Sequence, residues 1–220
     1  DLFQRGADGG MERVIPNIPP PPPRKRNRGE GGDEEDGSEG EEVQIAEEPQ
    51  APRGPVTLTL DYQRPEAIGA DRLADAAGAV ARYGTSVIVL DLGTAFTAAA
   101  ITADGMWRGG IIAPGLPLML DYLAERTAQL PAIDLARSSP PKIGRSTEDA
   151  MYIGATVGFR GMVREIITYL QNELKEDFRI IATGGFARRT IGQYGFPITY
   201  DPNLTLFGIG VLTHPQVMQD

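Results

Sequence analysis

From residue 56 onward, short apolar runs alternate with longer stretches of helical periodicity. The run "VTLTLDY" (56–62) alternates apolar and polar positions, which predicts a half-buried strand. The alanine-rich stretch "PEAIGADRLADAAGAVARYG" then places Leu73, Ala77 and Val80 on one face, and Gly84 stands where a helix would end. These patterns predict a strand followed by a helix.

A meander of three strands is predicted next. Apolar runs cover residues 87–90, 98–102 and 107–112. Asp104 and Gly105 form a turn of hairpin type between the last two runs. The three strands should therefore pair in chain order.

Two helices, a strand and a short helix complete the pattern. "PGLPLMLDYLAERTAQL" carries leucines along one side, and "STEDAMYIGATVGFRGMVREIITYLQNEL" begins with Ser146 three residues before Asp149, a variant of the capping box. "FRIIATGG" predicts a strand, and a short helix follows near Phe186. This order predicts an α/β fold, a mixed sheet with flanking helices whose glycine-rich turns lie at strand ends, where ligands of open sheets bind.

Small residues recur along the longest predicted helix. Ala150, Gly154 and Gly158 are spaced by four and lie on one face. Since each glycine costs a helix about 1 kcal/mol relative to alanine, close packing is the expected reason for them. The packing partner is either this chain or a second subunit.

The first 55 residues differ in composition. A proline run (19–23) leads into the basic cluster "RKRNR" (24–28), and residues 30–48 contain ten Asp and Glu but no Lys or Arg. Such a segment buries too little apolar surface to offset the entropy of ordering. Its basic cluster is either part of a solvated linker or a targeting or anion-binding segment. The predicted organisation is a disordered arm at 1–55, a folded domain at 56–215 and a tail at 216–220.

The composition excludes several classes of function. With no cysteine and a single histidine, His214, thiolate chemistry, cysteine metal sites and histidine triads are not expected. The net charge of −9 comes mostly from the acidic stretch, and the remainder lacks the basic surface that nucleic acid needs. No apolar run reaches the roughly 20 residues that span a bilayer, and no signal peptide is visible. We expect a cytoplasmic chain with no nucleic-acid or membrane partner, whose natural start lies upstream of the initial Asp.

The stretch "VIVLDLGTAFT" places a carboxylate, a glycine and threonines between two strands. A tight turn there offers backbone N–H groups to an anion, Gly93 allows close approach, and Thr94 and Thr97 add hydroxyl donors. Asp91 would repel a phosphate unless a cation lay between them. The combination predicts a nucleotide phosphate with a metal ion, and an ordinary hairpin corner is the alternative.

Two further strings contain candidate binding residues. "ATGG" ends a strand at Gly184 and Gly185, which either lets the backbone close over an adenine or ribose or simply turns the chain. "GADR" places Asp71 and Arg72 at a helix start, where they could serve as a general base and as a clamp for a carboxylate. The alternative is a capping acid beside a solvated arginine.

Six strings in this order resemble one family. They are "DYQRPEAIGADRLADA", "VIVLDLGTAFT", "GGIIAPG", "IGRSTEDAM", "ATGG" and "DPNLTLFG". Across residues 56–212 the chain is similar to type III pantothenate kinase, of the superfamily of acetate and sugar kinases, heat-shock chaperones and actin. The resemblance implies a ribonuclease H-like, actin-type half-domain that phosphorylates pantothenate with ATP, the first step of coenzyme A biosynthesis. It also implies a homodimer that needs Mg²⁺ and a monovalent cation, K⁺ or NH₄⁺.

The same resemblance implies a role for each matching residue. Pantothenate would be contacted by Tyr62, Gly69, Ala70, Asp71, Arg72 and, across the dimer, Thr147. The nucleotide would be contacted by Gly93, Thr94, Gly184 and Gly185. Asp71 would be the base toward the primary hydroxyl group of pantothenate, and Asp91 would hold the monovalent cation.

One part of the family pattern is not found. The family opens with a strand–loop–strand resembling Asp-x-Gly-Asn-Thr, whereas the closest string here, "GADGGMER", lacks Asn-Thr and is not expected to have flanking strands. Phosphoryl transfer depends on positioning, so the loss of one phosphate wall would impair it strongly. Three hypotheses follow: a kinase chain whose other half is absent or supplied by a second chain, a catalytically impaired relative that binds a ligand or partner, or another kinase half of this superfamily.

Overall fold

One mixed sheet of eight strands organises the described part of the chain. The computed structural model describes residues 58–135 and 142–213 fully, and only the backbone of 4–5, 11–15 and 56–57. The strands are β1 (Gln4–Arg5), β2 (Met11–Ile15), β3 (Val56–Leu60), β4 (Val87–Leu92), β5 (Ala95–Ile101), β6 (Met106–Pro114), β7 (Arg179–Thr183) and β8 (Ile198–Tyr200). The helices are α1 (Ala70–Tyr83), α2 (Leu116–Arg126), α3 (Thr147–Leu174), α4 (Ala187–Thr190) and α5 (Leu204–Thr213), with 3₁₀ turns at Pro65–Ala67 and Ile191–Gln193.

The strand order is β1-β2-β3-β6-β5-β4-β7-β8. The strands β4, β5 and β6 form the predicted antiparallel meander, and β3 joins it parallel to β6. On the other side β7 runs parallel to β4, and β8 runs parallel to β7. Because β4 and β7 are parallel neighbours, their carboxyl ends meet at one edge of the sheet, where Asp91 is paired with Thr183.

Helices cover both faces of the sheet, which is why its central strands are apolar nearly throughout. Val87 and Val89 of β4 belong to the core beneath α1 and α5. Ile88 and Leu90 belong to the core beneath α2, α3 and α4. Because side chains alternate between the two faces of a strand, β4 contributes residues to both cores.

The helices α1 and α5 cross in direct backbone contact. A β-carbon on Gly78 would lie 2.8 Å from the carbonyl oxygen of Leu204, and one on Gly208 would overlap the carbonyl group of Ala74. Two glycines, one on each helix, therefore set the separation of the pair.

A buried ion pair joins the end of α1 to the start of α5. Nη1 of Arg82 lies 2.5 Å from Oδ2 of Asp201, and the two side chains are 8% and 5% exposed. The hydroxyl group of Tyr83 donates to the same oxygen at 2.9 Å. The other oxygen of Asp201 accepts from Asn203 N at 3.1 Å, just before α5 begins.

The elements predicted from residue 56 onward are all present, and the predicted fold class, a mixed sheet with flanking helices, is confirmed. Gly84, with φ of 84°, ends α1, and Ser146 caps α3 by accepting from Asp149 N at 3.1 Å. Strand β8 and helix α5 were not predicted. The first has only three residues, and the second is apolar on almost every side, so no polar face reveals its period. Within the described residues, no helix is long and apolar enough to cross a membrane.

The expectation for the N-terminus needs one correction. "GADGGMER" does have flanking strands, since β1 precedes it and β2 pairs antiparallel with both β1 and β3. The pairing of β2 with β3 is made by backbone groups, so it requires no apolar pattern in β2. The rest of the predicted arm, His214 and the predicted tail lie outside the described residues.

Candidate active site

A tight turn joins β4 to β5 at the carboxyl end of β4. The N–H group of Gly93 donates to Ala95 O at 3.1 Å and closes the turn, leaving Thr94 exposed at its tip. Gly115 donates from its N–H to Thr94 O at 2.9 Å, and a β-carbon on Gly115 would overlap the carbonyl groups of the turn. The start of α2 is therefore held directly against this turn.

Asp91 meets Gly184 beside the turn. Gly184 follows β7 with φ of 96°, and a β-carbon there would overlap Oδ1 of Asp91 and the backbone of Leu92. The N–H group of Phe186 donates to Leu92 O at 3.0 Å, which ties the loop after β7 to the end of β4. The strings "DLGT" (91–94) and "ATGG" (182–185) are distant in the sequence but form one surface in the fold.

Asp71 lies in the first turn of α1 with an exposed side chain. Its Oδ1 accepts from the N–H group of Arg72 at 2.8 Å. A β-carbon on Gly69 would lie 2.5 Å from that oxygen, so the glycine makes room for the carboxylate to fold back over the helix start. No described residue forms a hydrogen bond with the second carboxylate oxygen, which is open to a ligand.

Three carboxylates from two elements lie near one another at this edge. Burial raises the pKa of Asp91, and the negative charge of Asp71 raises it further. Burial also raises the pKa of Asp75 to about 7, with contributions from the charges of Asp91 and Asp71. The hydroxyl group of Thr205, which donates to Asp75 at 2.6 Å, partly opposes that rise.

Asp75 was not among the predicted site residues. Its spacing of four from Asp71 puts both on one face of α1, and an acid on an apolar helix face was the available signal. The sequence alone could not show that α5 would cover this carboxylate and leave it 3% exposed.

Arg72 turns away from Asp71 into the core. Its side chain is 9% exposed, and its guanidinium group lies over the ring of Trp107 at 5.5 Å. Its Nε has no hydrogen-bond partner among the described residues. The alternative of a solvated arginine is therefore wrong. A substrate carboxylate could bind Arg72 only by reaching its mostly buried guanidinium group. Trp107 is 1% exposed, as expected for a strand residue over the core.

The remaining predicted residues are exposed. Tyr62 follows β3, and Ala70 begins α1 beside Gly69. Gly185 has open space around its Cα. Thr147 is exposed at the first position of α3, on the other face of the sheet from α1. Within one chain, the structure thus brings Asp71, Asp91 and Gly184 together at one edge of the sheet. Thr147 lies away from these three residues.

The carboxylate of Asp91 suits a cation. Among the described residues no N–H, hydroxyl or cationic group contacts it, although it is partly buried. A carboxylate in this position is costly without a compensating partner, and a cation would provide one. No group of three or more His, Cys, Asp or Glu in the described ranges could hold a metal ion. Further ligands would have to come from backbone carbonyl groups, water or a bound phosphate.

The fold and this edge define an α/β protein whose glycine-lined turn and acidic side chains meet at the carboxyl ends of parallel strands, where open sheets of this class bind their ligands. Residues 42–169 match the sequence model of one family, type III pantothenate kinase, and the chain belongs to that family. The match begins upstream of residue 56, where composition placed the domain boundary.

Curated relatives agree with this assignment. The type III pantothenate kinase of Akkermansia muciniphila is 45% identical over 152 residues, which are 69% of this chain and 62% of the relative. That of Methylacidiphilum infernorum is 40% identical over 163 residues, 73% of this chain and 60% of the relative. The chain therefore spans about 60% of the length of these relatives. A solved structure, the activator of the 2-hydroxyisocaproyl-CoA dehydratase from Clostridium difficile with bound ADPNP, is 14% identical with a TM-score of 0.38 over 64% of this chain and 63% of its own.

Proposed function

We propose that this chain belongs to an enzyme that transfers the γ-phosphoryl group of ATP to pantothenate, giving 4'-phosphopantothenate for coenzyme A biosynthesis. The observation that carries the proposal is the meeting of Asp71, Asp91 and the turn at Gly93 on one sheet edge, in a member of the type III pantothenate kinase family. The domain assigned to this role is the predicted one, residues 56–215.

Asp71 would act as the general base. One of its oxygens is held by Arg72 N, and the exposed second oxygen is free to accept the proton of the primary hydroxyl group of pantothenate. The hydroxyl oxygen then attacks the γ-phosphorus, and the bond from that phosphorus to the bridging oxygen of ADP breaks. Pantothenate would be contacted near Asp71 by Tyr62, Gly69, Ala70 and Arg72.

The nucleotide would lie across the turn and the loop after β7. Thr94 is exposed at the turn with its hydroxyl group available, and Gly93 leaves the backbone uncovered. Gly184 and Gly185 would let the nucleotide approach the end of β7 closely. These residues position the phosphate chain, which is the main task of an enzyme that transfers phosphoryl groups.

Asp91 would hold a monovalent cation, K⁺ or NH₄⁺, while Mg²⁺ would arrive with the nucleotide phosphates. Bound there, the cations supply the positive charge that offsets repulsion between the Asp91 carboxylate and the phosphates. The chain's own contribution is to fix the carboxylate against Gly184, in a partly buried position where no other described residue is its hydrogen-bond or ion-pair partner.

A catalytically impaired, ligand-binding relative is the second candidate. Its supporting observation is that no Asp-x-Gly-Asn-Thr string occurs in the 220 residues, so one phosphate wall has no counterpart in this sequence. A second chain that supplies this wall would reconcile the missing motif with the proposed kinase.

We further propose that the protein acts in the cytoplasm and forms a homodimer through α3. Gly154 and Gly158 have open space above their Cα atoms, and Val157 between them is 48% exposed. A second copy packed on this face would cover the apolar side chain. It would also offer Thr147 of each protomer to pantothenate bound at the other.

The test is pantothenate-dependent release of ADP from ATP by the purified chain, with K⁺ and Mg²⁺ present. Asp71→Asn should lower the rate by about 10²- to 10⁴-fold while the melting temperature stays close to that of the parent chain, because the residue is exposed. Asp121→Asn, an exposed acid on α2, is the matched control and should leave the rate unchanged. Full activity in Asp71→Asn would contradict the base. Pantothenate binding by calorimetry without any ADP release would indicate a half-site that needs its other half, such as the second chain named above.

A further inference from the structure

A cavity of about 200 Å³ lies between α3 and the segment that follows Gly185, on the opposite face of the sheet from α1. We call it the α3–α4 cavity. Its polar lining includes Tyr152, Arg160, Arg189 and Tyr194. The volume is several times the roughly 30 Å³ that a water molecule occupies in the liquid, so a small organic molecule fits it.

Tyr194 carries the first sign of a missing ligand. Its side chain is 0% exposed, yet its Oη has no hydrogen-bond partner among the described residues. Burial raises the pKa of Tyr194, so Oη keeps its proton as a donor. The hydroxyl group of Thr190 partly opposes that rise, although its position does not meet the geometry of a hydrogen bond to Oη. Thr190 itself donates to Phe186 O at 3.0 Å. A buried donor without an acceptor is rare in folded proteins and needs an explanation.

The charges around the cavity give the second sign. Two guanidinium groups line it, and no Asp or Glu is among its described lining residues. Arg189 is fixed by donating from Nη2 to Leu135 O at 2.9 Å. Arg160 makes no hydrogen bond or ion pair with any described residue. Two cations and a phenol donor around one cavity, with no acid among its described lining residues, suit an anion that accepts from all three.

We propose that the α3–α4 cavity binds a small organic anion, a carboxylate or phosphate ester, between Arg160, Arg189 and Tyr194. The rest of the ligand would pack on the apolar part of the wall, formed by Leu116, Phe159 and Phe186. This site is additional to the one that uses Asp71, and it does not depend on the proposed kinase activity. Neutral nucleosides fit it less well, because they leave two arginines without counter-charge.

The first experiment measures binding of benzoate and of phenyl phosphate to the full chain by calorimetry, which separates the two forms of the anion. Arg160→Gln should weaken the better ligand by about tenfold, the loss of one charge-assisted pair. Arg188→Gln is the matched control, because this neighbouring arginine is exposed and lies outside the cavity lining. The affinity of Arg188→Gln for the same ligand should stay within about twofold of the affinity of the parent chain. Equal affinities in Arg160→Gln and the parent chain would overturn the proposal.

Tyr194→Phe provides an independent readout. It should raise the melting temperature of the ligand-free chain, since an unpaired buried hydroxyl group is removed, and weaken anion binding by about fivefold. A purely structural tyrosine would show the opposite change in melting temperature and no change in affinity. Adenosine is the third ligand tested. If it binds and both anions do not, the cavity is a nucleoside site and the anion proposal is wrong.

Discussion

The Cα atom of Gly184 lies against the carboxylate of Asp91 so closely that any side chain at position 184 would overlap it. Gly184 also has φ of 96°, a conformation that residues with a β-carbon rarely adopt. One glycine therefore fixes both the path of the chain after β7 and the position of the proposed cation ligand on β4.

Gly184→Ala should destabilise the fold by about 2 kcal/mol or more, because it adds backbone strain and an overlap with Asp91 and Leu92. Gly185→Ala is the control, since a β-carbon there meets no atom within 4 Å. Its free energy of unfolding should change by less than about 1 kcal/mol in urea denaturation. Equal effects of the two substitutions would show that the contact at 184 is not as tight as described.

The buried carboxyl group of Asp75 should make stability depend on pH. Its pKa is raised from 3.8 to about 7, so the folded chain binds the proton more tightly than the unfolded chain. Stability is then lost as pH rises from about 3.8 to about 7, and levels off above that range. The shift corresponds to roughly 4 kcal/mol at 1.36 kcal/mol per pKa unit. The charged groups that face Asp75 are Asp91, Asp71 and Asp201.

Asp75→Asn should remove most of the dependence of stability on pH. Urea denaturation between pH 5 and pH 8, the range around the raised pKa, would measure the change. Above pH 7 the variant should be more stable than the parent chain. The exposed Asp121→Asn should keep the parent's pH profile. A variant whose profile still falls over this interval would mean that another group is responsible.

Asp201→Asn should destabilise the chain by about 3–5 kcal/mol, because Arg82 would remain buried without a counter-charge. Asp61→Asn breaks a comparable pair with Arg108, at 3.4 Å, whose partners are exposed. That control should cost less than about 1 kcal/mol. The two unfolding curves, measured at the same pH, compare the buried pair with the exposed one.

Two glycines of α5 should respond in opposite directions to the same substitution. Gly208→Ala places a methyl group into the carbonyl of Ala74 and should separate α1 from α5 at a cost of about 2 kcal/mol or more. Gly210→Ala meets open space and should stabilise the helix by about 1 kcal/mol. Thermal unfolding of both variants would show whether the helix contact, rather than helix propensity, controls this position.

Val157→Arg should convert the proposed dimer to monomer, since it places charge in the centre of the small-residue face of α3. Sedimentation equilibrium would measure the change in mass. Thr213→Arg, an exposed position on α5, is the control and should leave the mass unchanged. A monomeric parent chain would rule out the interface through α3.

The local elements and the chemistry at their ends could be predicted from the amino-acid pattern alone. Alternating and continuous apolar runs located β4, β5 and β6, and the string "STED" located the start of α3, because these signals depend only on neighbouring residues. The meeting of "GADR", "DLGT" and "ATGG" at one site was also predicted, but through a family resemblance and not through periodicity.

Which polar side chains are buried could be known only from the packing of the folded chain. Arg72 and Asp75 lie within five residues of one another in the sequence, and no local pattern tells that one stacks on Trp107 and the other is covered by Thr205. The α3–α4 cavity and the pairing of β2 with β3 are likewise products of packing. The physical reason is that hydration, charge and pairing at a residue depend on elements far away in the chain, which meet it only when the sheet and its two helical layers have formed.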